Sequence, residues 1–406
     1  MTGPQGTSGQ AGPQGTTGTA GPQGPSGMAD GGISTGCLAP CHGFGGIVEQ
    51  WKTSTHYIGT ITNSEELGSW TGPGTCGNCH AADGLPSRVS GRVNAPADAG
   101  PVNVTKGELN YRTASGGATE ATFAGQSKVA SIGCVTCHDV SAQNDPHKTG
   151  SNYQPGAFPL RVASGPTDNA VIEKSADAGI VTGTSAGNWG VSNTCIFCHK
   201  SRKDVSNYIS RVANTSITSV NWGPHEAPQA DIFSGLGGYE FGKVYSNSEH
   251  QKLGGCATCH MGASASNGGA PDHSFRPSLT TCTSKCHTTA TNFNVKSGQT
   301  NLRFALAELQ GLLNGLNALT RGAVGNPALA GSELTDGHYE LDRPRPGASL
   351  TPDQTGALYN YFLLSRGSAW GVHNPSYSSQ LVYDSIDAIN GPGKPVSIAD
   401  PRAPAP

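Results

Sequence analysis

Cys256-Ala257-Thr258-Cys259-His260 is one of six short runs in which two cysteines stand close together and the second is followed at once by histidine. The others are Cys37/Cys41 before His42 in CLAPCH, Cys76/Cys79 before His80 in CGNCH, Cys134/Cys137 before His138 in CVTCH, Cys195/Cys198 before His199 in CIFCH, and Cys282/Cys286 before His287 in CTSKCH. These pairs use all 12 cysteines of the chain. A disulfide scaffold, a zinc ribbon or an array of redox dithiols would not call for histidine after every pair. C-x-x-C-H is instead the attachment signature of a c-type haem. Two thiols add to the vinyl groups on one porphyrin edge, and the adjacent imidazole meets the iron from the proximal side. The sequence therefore predicts six covalently attached haem c groups, with His42, His80, His138, His199, His260 and His287 as proximal iron ligands. The first and last motifs carry one extra residue between the cysteines, which widens the loop between the two thioethers.

Each iron has a second axial position to close. The three methionines are Met1, Met28 and Met261, and Met261 directly follows its own His260, so it cannot reach the opposite haem face. Seven further histidines remain: His56, His147, His225, His250, His273, His338 and His373. His56, His147, His225, His250, His273 and His373 are the candidate distal ligands, and His338 stands as the alternative to His56. An isolated loop histidine is ordinarily a polar surface residue, but 13 histidines in a chain with no spare cysteine are a provision for bis-histidine ligation. Such irons have no vacant position. They pass electrons without binding substrate, so the expectation is an electron carrier and not an enzyme.

Composition agrees with a chain held together by its cofactors. Gly (58) and Pro (27) make up about a fifth of the 406 residues, and Leu, Ile, Val and Phe only about 17%. With a net charge of -3 from 25 basic and 28 acidic residues, no polybasic surface for nucleic acid or anionic lipid can be assembled. No apolar run is long enough to span a bilayer. Any membrane contact is expected only through an N-terminal anchor that is missing from this sequence.

Residues 1–27 contain eight Gly-X-Y triplets from Gly3 to Ser26, a collagen-like pattern. Eight triplets are few for an independent triple helix, and a flexible or polyproline-II stalk of roughly 70 Å at about 3.1 Å per residue is the simpler reading. Residues 28–290 form the haem-bearing core, with short helices at the motifs and Gly/Ser/Thr/Asn/Pro-rich loops between them. Residues 291–391 are a helical C-terminal segment packing on that core. Leu302, Leu306, Leu309, Leu313 and Leu316 recur at helical spacing, with Leu312 and Leu319 widening the stripe. Thr351-Pro352-Asp353-Gln354 is a capping box that opens a second helix through Leu358, Tyr361, Phe362 and Leu364. Asn374-Pro375 opens a third, with Leu381, Val382, Ile386 and Ile389 on its face and Gly391 as its stop. Residues 392–406 are expected to be a flexible tail. The fold class expected is a multihaem cytochrome c: mostly loops and short helices wrapped around six haems, a C-terminal α-helical segment, and little β structure.

On these residues the chain resembles the multihaem cytochromes c, a large group of exported electron carriers. GPHEAPQADIFSGLGGYEFGKVYSNSEHQKLGGCATCHMG (223–262), followed by DHSFRP and CTSKCH, is similar to a segment common in that group, where isolated histidines act as distal ligands. The resemblance so implies ligand roles for His225, His250 and His273. GALYNYFLLSRGSAWGVHNPSY (356–377) resembles the helical C-terminal part of relatives of pentahaem nitrite reductase, in which the histidine of GVHN ligates a haem; here that is His373. Asp145-Pro146-His147 is similar to the CHDPH arrangement of such cytochromes, though here eight residues separate the two histidines. Catalytic members of the nitrite reductase group usually carry a lysine-ligated haem in a CxxCK motif, and this chain has none.

The resemblance implies a hexahaem protein relaying electrons across or outside the cell envelope to an extracellular acceptor. Redox-partner cytochromes of the envelope, and self-association into filaments or trimers, are the partners it suggests. The location it implies is the cell surface or beyond, otherwise the periplasm. The rival is a multihaem reductase of small nitrogen or sulfur oxyanions, which would need one open iron.

Overall fold

The computed structural model describes residues 42, 45–62, 77–80, 82, 84–89, 110–112, 119–121, 132–139, 159–162, 171–176, 179–185, 189–201, 203–263, 269–321, 342–391, 396 and 398–402. The Gly-X-Y segment, Cys37, Cys41, Cys76, His147 and His338 lie outside the described residues. What is described is mostly loops and helices with little sheet.

Three long helices dominate the C-terminal part: α1 (Gly298–Gly315), α2 (Pro352–Arg366) and α3 (Pro375–Asn390). They pack on one another in all three pairings. Helix α1 buries Leu302, Ala305, Leu306, Leu309 and Leu313, the face that the leucine spacing predicts. Burying each leucine contributes about 1.5–3 kcal/mol. Leu319 departs from that expectation. The helix ends at Gly315, Asn317 takes φ 56°, and Leu319–Arg321 becomes a strand paired antiparallel with Asp342–Pro344.

Helix α2 begins as its capping box dictates: the Thr351 hydroxyl accepts from Gln354 N, and Thr351 N donates to Gln354 Oε1 at 3.0 Å. Thr351→Ala is expected to lower stability by about 1 kcal/mol in chemical denaturation. Every residue of α2 from Thr355 to Arg366 is buried, polar ones included, so this helix is the centre of the fold and not an amphipathic cover. Helix α3 opens on Asn374, whose side chain accepts from Tyr377 N, and stops at Gly391 with φ 91°.

The loop from 205 to 248 wraps this trio and contributes Ile209, Ile217, Trp222, Ile232 and Tyr239 to the same core. Buried polar side chains stitch the wrap. Asn360 Oδ1 accepts from Tyr239 N (2.8 Å) and its Nδ2 donates to Tyr239 O (2.9 Å) and Ser385 Oγ (3.1 Å). Asn374 Oδ1 accepts from Ser248 N (2.9 Å), and Arg366 Nη1 donates to Pro224 O. Thr215–Ser216 pairs antiparallel with Ser349–Leu350, a second tie between the wrap and the helices.

Asp384, with its side chain fully buried, receives Lys243 Nζ (2.7 Å), the two Arg402 guanidinium nitrogens (3.0 and 2.6 Å) and the Tyr245 hydroxyl. Burial alone would push this carboxyl up, but the bonds from Arg402, Lys243 and Tyr245 outweigh it and hold the pKa below the ordinary value. A depressed carboxylate contributes stability above its unfolded pKa of about 3.9 and loses it as the pH falls through the folded value. Acid unfolding of Asp384→Asn below about pH 4 should therefore be shallower than that of the wild type. An identical slope would remove Asp384 from the acid response.

The stretch between the third and fourth motifs, expected to be loop, contains an antiparallel hairpin of Val171–Ala176 and Gly179–Ser185. Ile172 from this hairpin, Trp189, Ile196, Ala230 and Phe233 form a second, smaller cluster beside the fourth motif.

Candidate functional site

Five of the six cysteine motifs have at least one cysteine in or beside a short helix: Gly77–His80, Cys134–Cys137, Asn193–Ile196, Cys256–His260 and Leu279–Thr283. A helical turn brings residues three apart onto one face, so both thiols of a C-x-x-C point the same way. The nine described cysteines, Cys79, Cys134, Cys137, Cys195, Cys198, Cys256, Cys259, Cys282 and Cys286, carry no disulfide.

The motifs are packed against each other. Gly255, ahead of the fifth motif, has φ 86° and ψ -163°. A Cβ there would sit 2.7 Å from Ser192 Cβ and 2.9 Å from Trp189 Cβ. Ser192 Oγ accepts from Ala257 N (2.9 Å) and donates to Gly254 O (3.3 Å). The thiols of Cys195 and Cys256, one from each motif, are hydrogen-bonded neighbours.

Four motif histidines each face an isolated histidine distant in sequence. The ring centroids are 5.8 Å apart for His199 and His56, 6.2 Å for His138 and His273, 6.2 Å for His260 and His373, and 6.0 Å for His287 and His250. A metal–imidazole bond of about 2 Å on each side of one metal, with the half-widths of the two rings added, gives about 6 Å between centroids. The donor set therefore fits one haem iron between each pair, and each pair contains one histidine that follows a cysteine pair.

The ring nitrogens turned away from these clefts are mostly held. His250 Nδ1 lies 2.6 Å from Val372 O, His260 Nδ1 2.8 Å from Phe275 O, and His273 Nδ1 2.9 Å from Pro271 O. A carbonyl only accepts, so in these three rings Nδ1 carries the proton and Nε2 keeps a free lone pair. His199 Nδ1 is 3.1 Å from Gln229 Oε1. Burial, with His199 and His260 nearby, pulls the pKa of His56 down to about 4; burial, with His260, His199 and His250 nearby, pulls that of His373 to about 3. Burial also lowers His199 and His273. Neutral imidazole is the form that ligates a metal.

Phe275 joins the pairs together. Its ring meets those of His56 (4.8 Å) and His273 (5.9 Å), and its carbonyl meets His260 Nδ1. Nothing in the sequence marks this residue; its φ of 57° shows only in three dimensions. Gln229 and Ser192 are likewise positioning residues that the motif reading does not reach.

The other candidates are placed differently. His225 Nδ1 lies 2.9 Å from Glu226 O and its ring 3.6 Å from the Glu226 carboxylate, and no described histidine ring lies against it. His42 is exposed and His80 half-buried; the surroundings of their motifs lie largely outside the described residues. Of the two alternatives His56 and His338, His56 faces a motif histidine. No described helix is long and apolar enough to cross a membrane.

No family model matches the chain, and no curated protein matches it. Among solved structures, an outer cell wall cytochrome, OcwA, is similar over 84% of this chain at 16% identity with a TM-score of 0.42. The match covers 49% of that chain, so this sequence spans about half its length.

Proposed function

We propose that the chain is a hexahaem c-type cytochrome that relays electrons through bis-histidine haems, across or outside the cell envelope, to an extracellular acceptor. The observation that carries this reading is the set of four histidine pairs at 5.8–6.2 Å, each joining a motif histidine to an isolated one. His199 with His56, His138 with His273, His260 with His373 and His287 with His250 are the ligand pairs proposed for the fourth, third, fifth and sixth haems. The two thiols of each motif would hold the porphyrin edge. The bound haem supplies a ferric/ferrous couple.

The protein's part is to fix and tune these couples. Carbonyls of Val372, Phe275 and Pro271 and the Gln229 amide orient the ligand rings and set their basicity. Contact of Cys195 with Cys256, and of Phe275 with two pairs, supports a continuous run of closely spaced haems. With haem bound, the paired imidazoles would fill both axial positions of each such iron, which favours transfer over catalysis.

The test is a covalent haem count by mass together with optical and electron paramagnetic resonance spectra of the oxidised protein. Six haems, all low-spin, are expected. A high-spin fraction near one sixth that responds to nitrite or sulfite would replace the relay with an oxyanion reductase.

A further inference from the structure

Resting on the bis-histidine reading, we infer that His373 is the displaceable ligand among the four described histidine pairs, and that the iron it would share with His260 binds a small neutral π-acceptor ligand such as carbon monoxide or nitric oxide when reduced. His373 Nδ1 is buried and makes no hydrogen bond. His250, His260 and His273 each donate from Nδ1 to a carbonyl, and His199 Nδ1 contacts Gln229. Donation to an acceptor raises the basicity of a ligating imidazole and fixes its ring. His373 lacks both effects, so its bond to iron is the weaker one.

The backbone that carries it is strained. Between α2 and α3 the chain passes through Ser368 at φ 53°, Trp370 at φ 47° and Gly371 at φ 84° just before His373. A bulky aromatic residue at positive φ persists only where its surroundings force it. Here the Arg303 guanidinium stacks on the Trp370 ring at 4.6 Å, and a Cβ on Gly371 would already touch Leu302 at 3.0 Å. Helix α1 therefore clamps a loop that relaxes when the ligand leaves. The exchange breaks one iron–nitrogen bond and forms one bond to the incoming donor, with no change in oxidation state and no co-reactant.

The experiment is carbon monoxide titration of the dithionite-reduced holoprotein, read optically. The oxidised wild type should be wholly low-spin, and the reduced wild type should take up about one carbon monoxide per chain. His373→Ala should still take up about one, because the same iron is opened, while His250→Ala should take up about two. Uptake of two by His373→Ala, or none by the wild type, overturns the inference. Should His373→Ala fail to accumulate, Arg303→Ala keeps every ligand and should bind carbon monoxide several-fold faster at unchanged stoichiometry; an unchanged rate overturns the inference. A high-spin signal already present in the oxidised wild type overturns the ligation reading and this inference with it. A low-spin protein that takes up nothing overturns this inference alone.

Discussion

Asn360→Ala is expected to lower the stability of the protein by about 2–6 kcal/mol, read as an earlier guanidinium midpoint of the helical circular dichroism signal. Asn360 is fully buried in the middle of α2 and makes three hydrogen bonds, two of them to the N–H and C=O of Tyr239. It presents the wrapping loop with the donor and acceptor that a neighbouring strand would offer. Alanine leaves both backbone groups buried without partners, and each such group costs about 1–3 kcal/mol. Next to it, a Cβ on Gly356 would lie 2.1 Å from the Tyr239 ring, so Tyr239 is packed directly on α2. Phe304→Ser is the control: Phe304 is 67% exposed on α1, and its loss should leave the midpoint almost unchanged. Equal midpoints for Asn360→Ala and wild type would mean that Tyr239 is not held this way.

Gly255→Val should be comparably severe, and its damage should fall on the fourth and fifth cysteine motifs. At φ 86° and ψ -163° the backbone occupies a region that is nearly exclusive to glycine, at a cost of about 1–3 kcal/mol for any other residue. The new Cβ would also collide with Ser192 and Trp189, adding about 1–3 kcal/mol of overpacking. Relief requires moving the Cys256–His260 helix away from Ser192, which breaks the Ala257 N to Ser192 bond and separates Cys256 from Cys195. With haems bound as proposed, potentiometric titration should then show altered midpoints for those of the fourth and fifth motifs, with that of the third unchanged. A variant with wild-type stability and potentials would show that the two motifs tolerate a wider gap.

Much of the local structure was legible because its causes are local. Thr351, Asn374 and Gly391 act within one helical turn, and the leucine stripe of α1 states its own period. The cysteine pairs and the histidines after them are read by spacing alone. Which histidine would face which was not legible, because His56 meets His199 and His373 meets His260 through folding of the long loops between them. The interior place of α2 was hidden too: Thr355, Asn360, Ser365 and Arg366 are polar, yet the wrap of residues 205–248 together with α1 and α3 buries them. Leu319 continues the helical count, yet pairing with Asp342–Pro344 outweighs periodicity there.

The histidine pairs have a consequence for how the chain comes apart. They close the segments 56–199, 138–273, 250–287 and 260–373, and these spans overlap in series. An iron bound in each pair would act as a staple across its span, lowering the entropy of the unstapled chain much as a disulfide does. Overlapping staples cannot be lost one end at a time. A protease that nicks one loop would leave the fragments joined, and the protein should outlast cleavages that would dismantle a chain of independent haem modules.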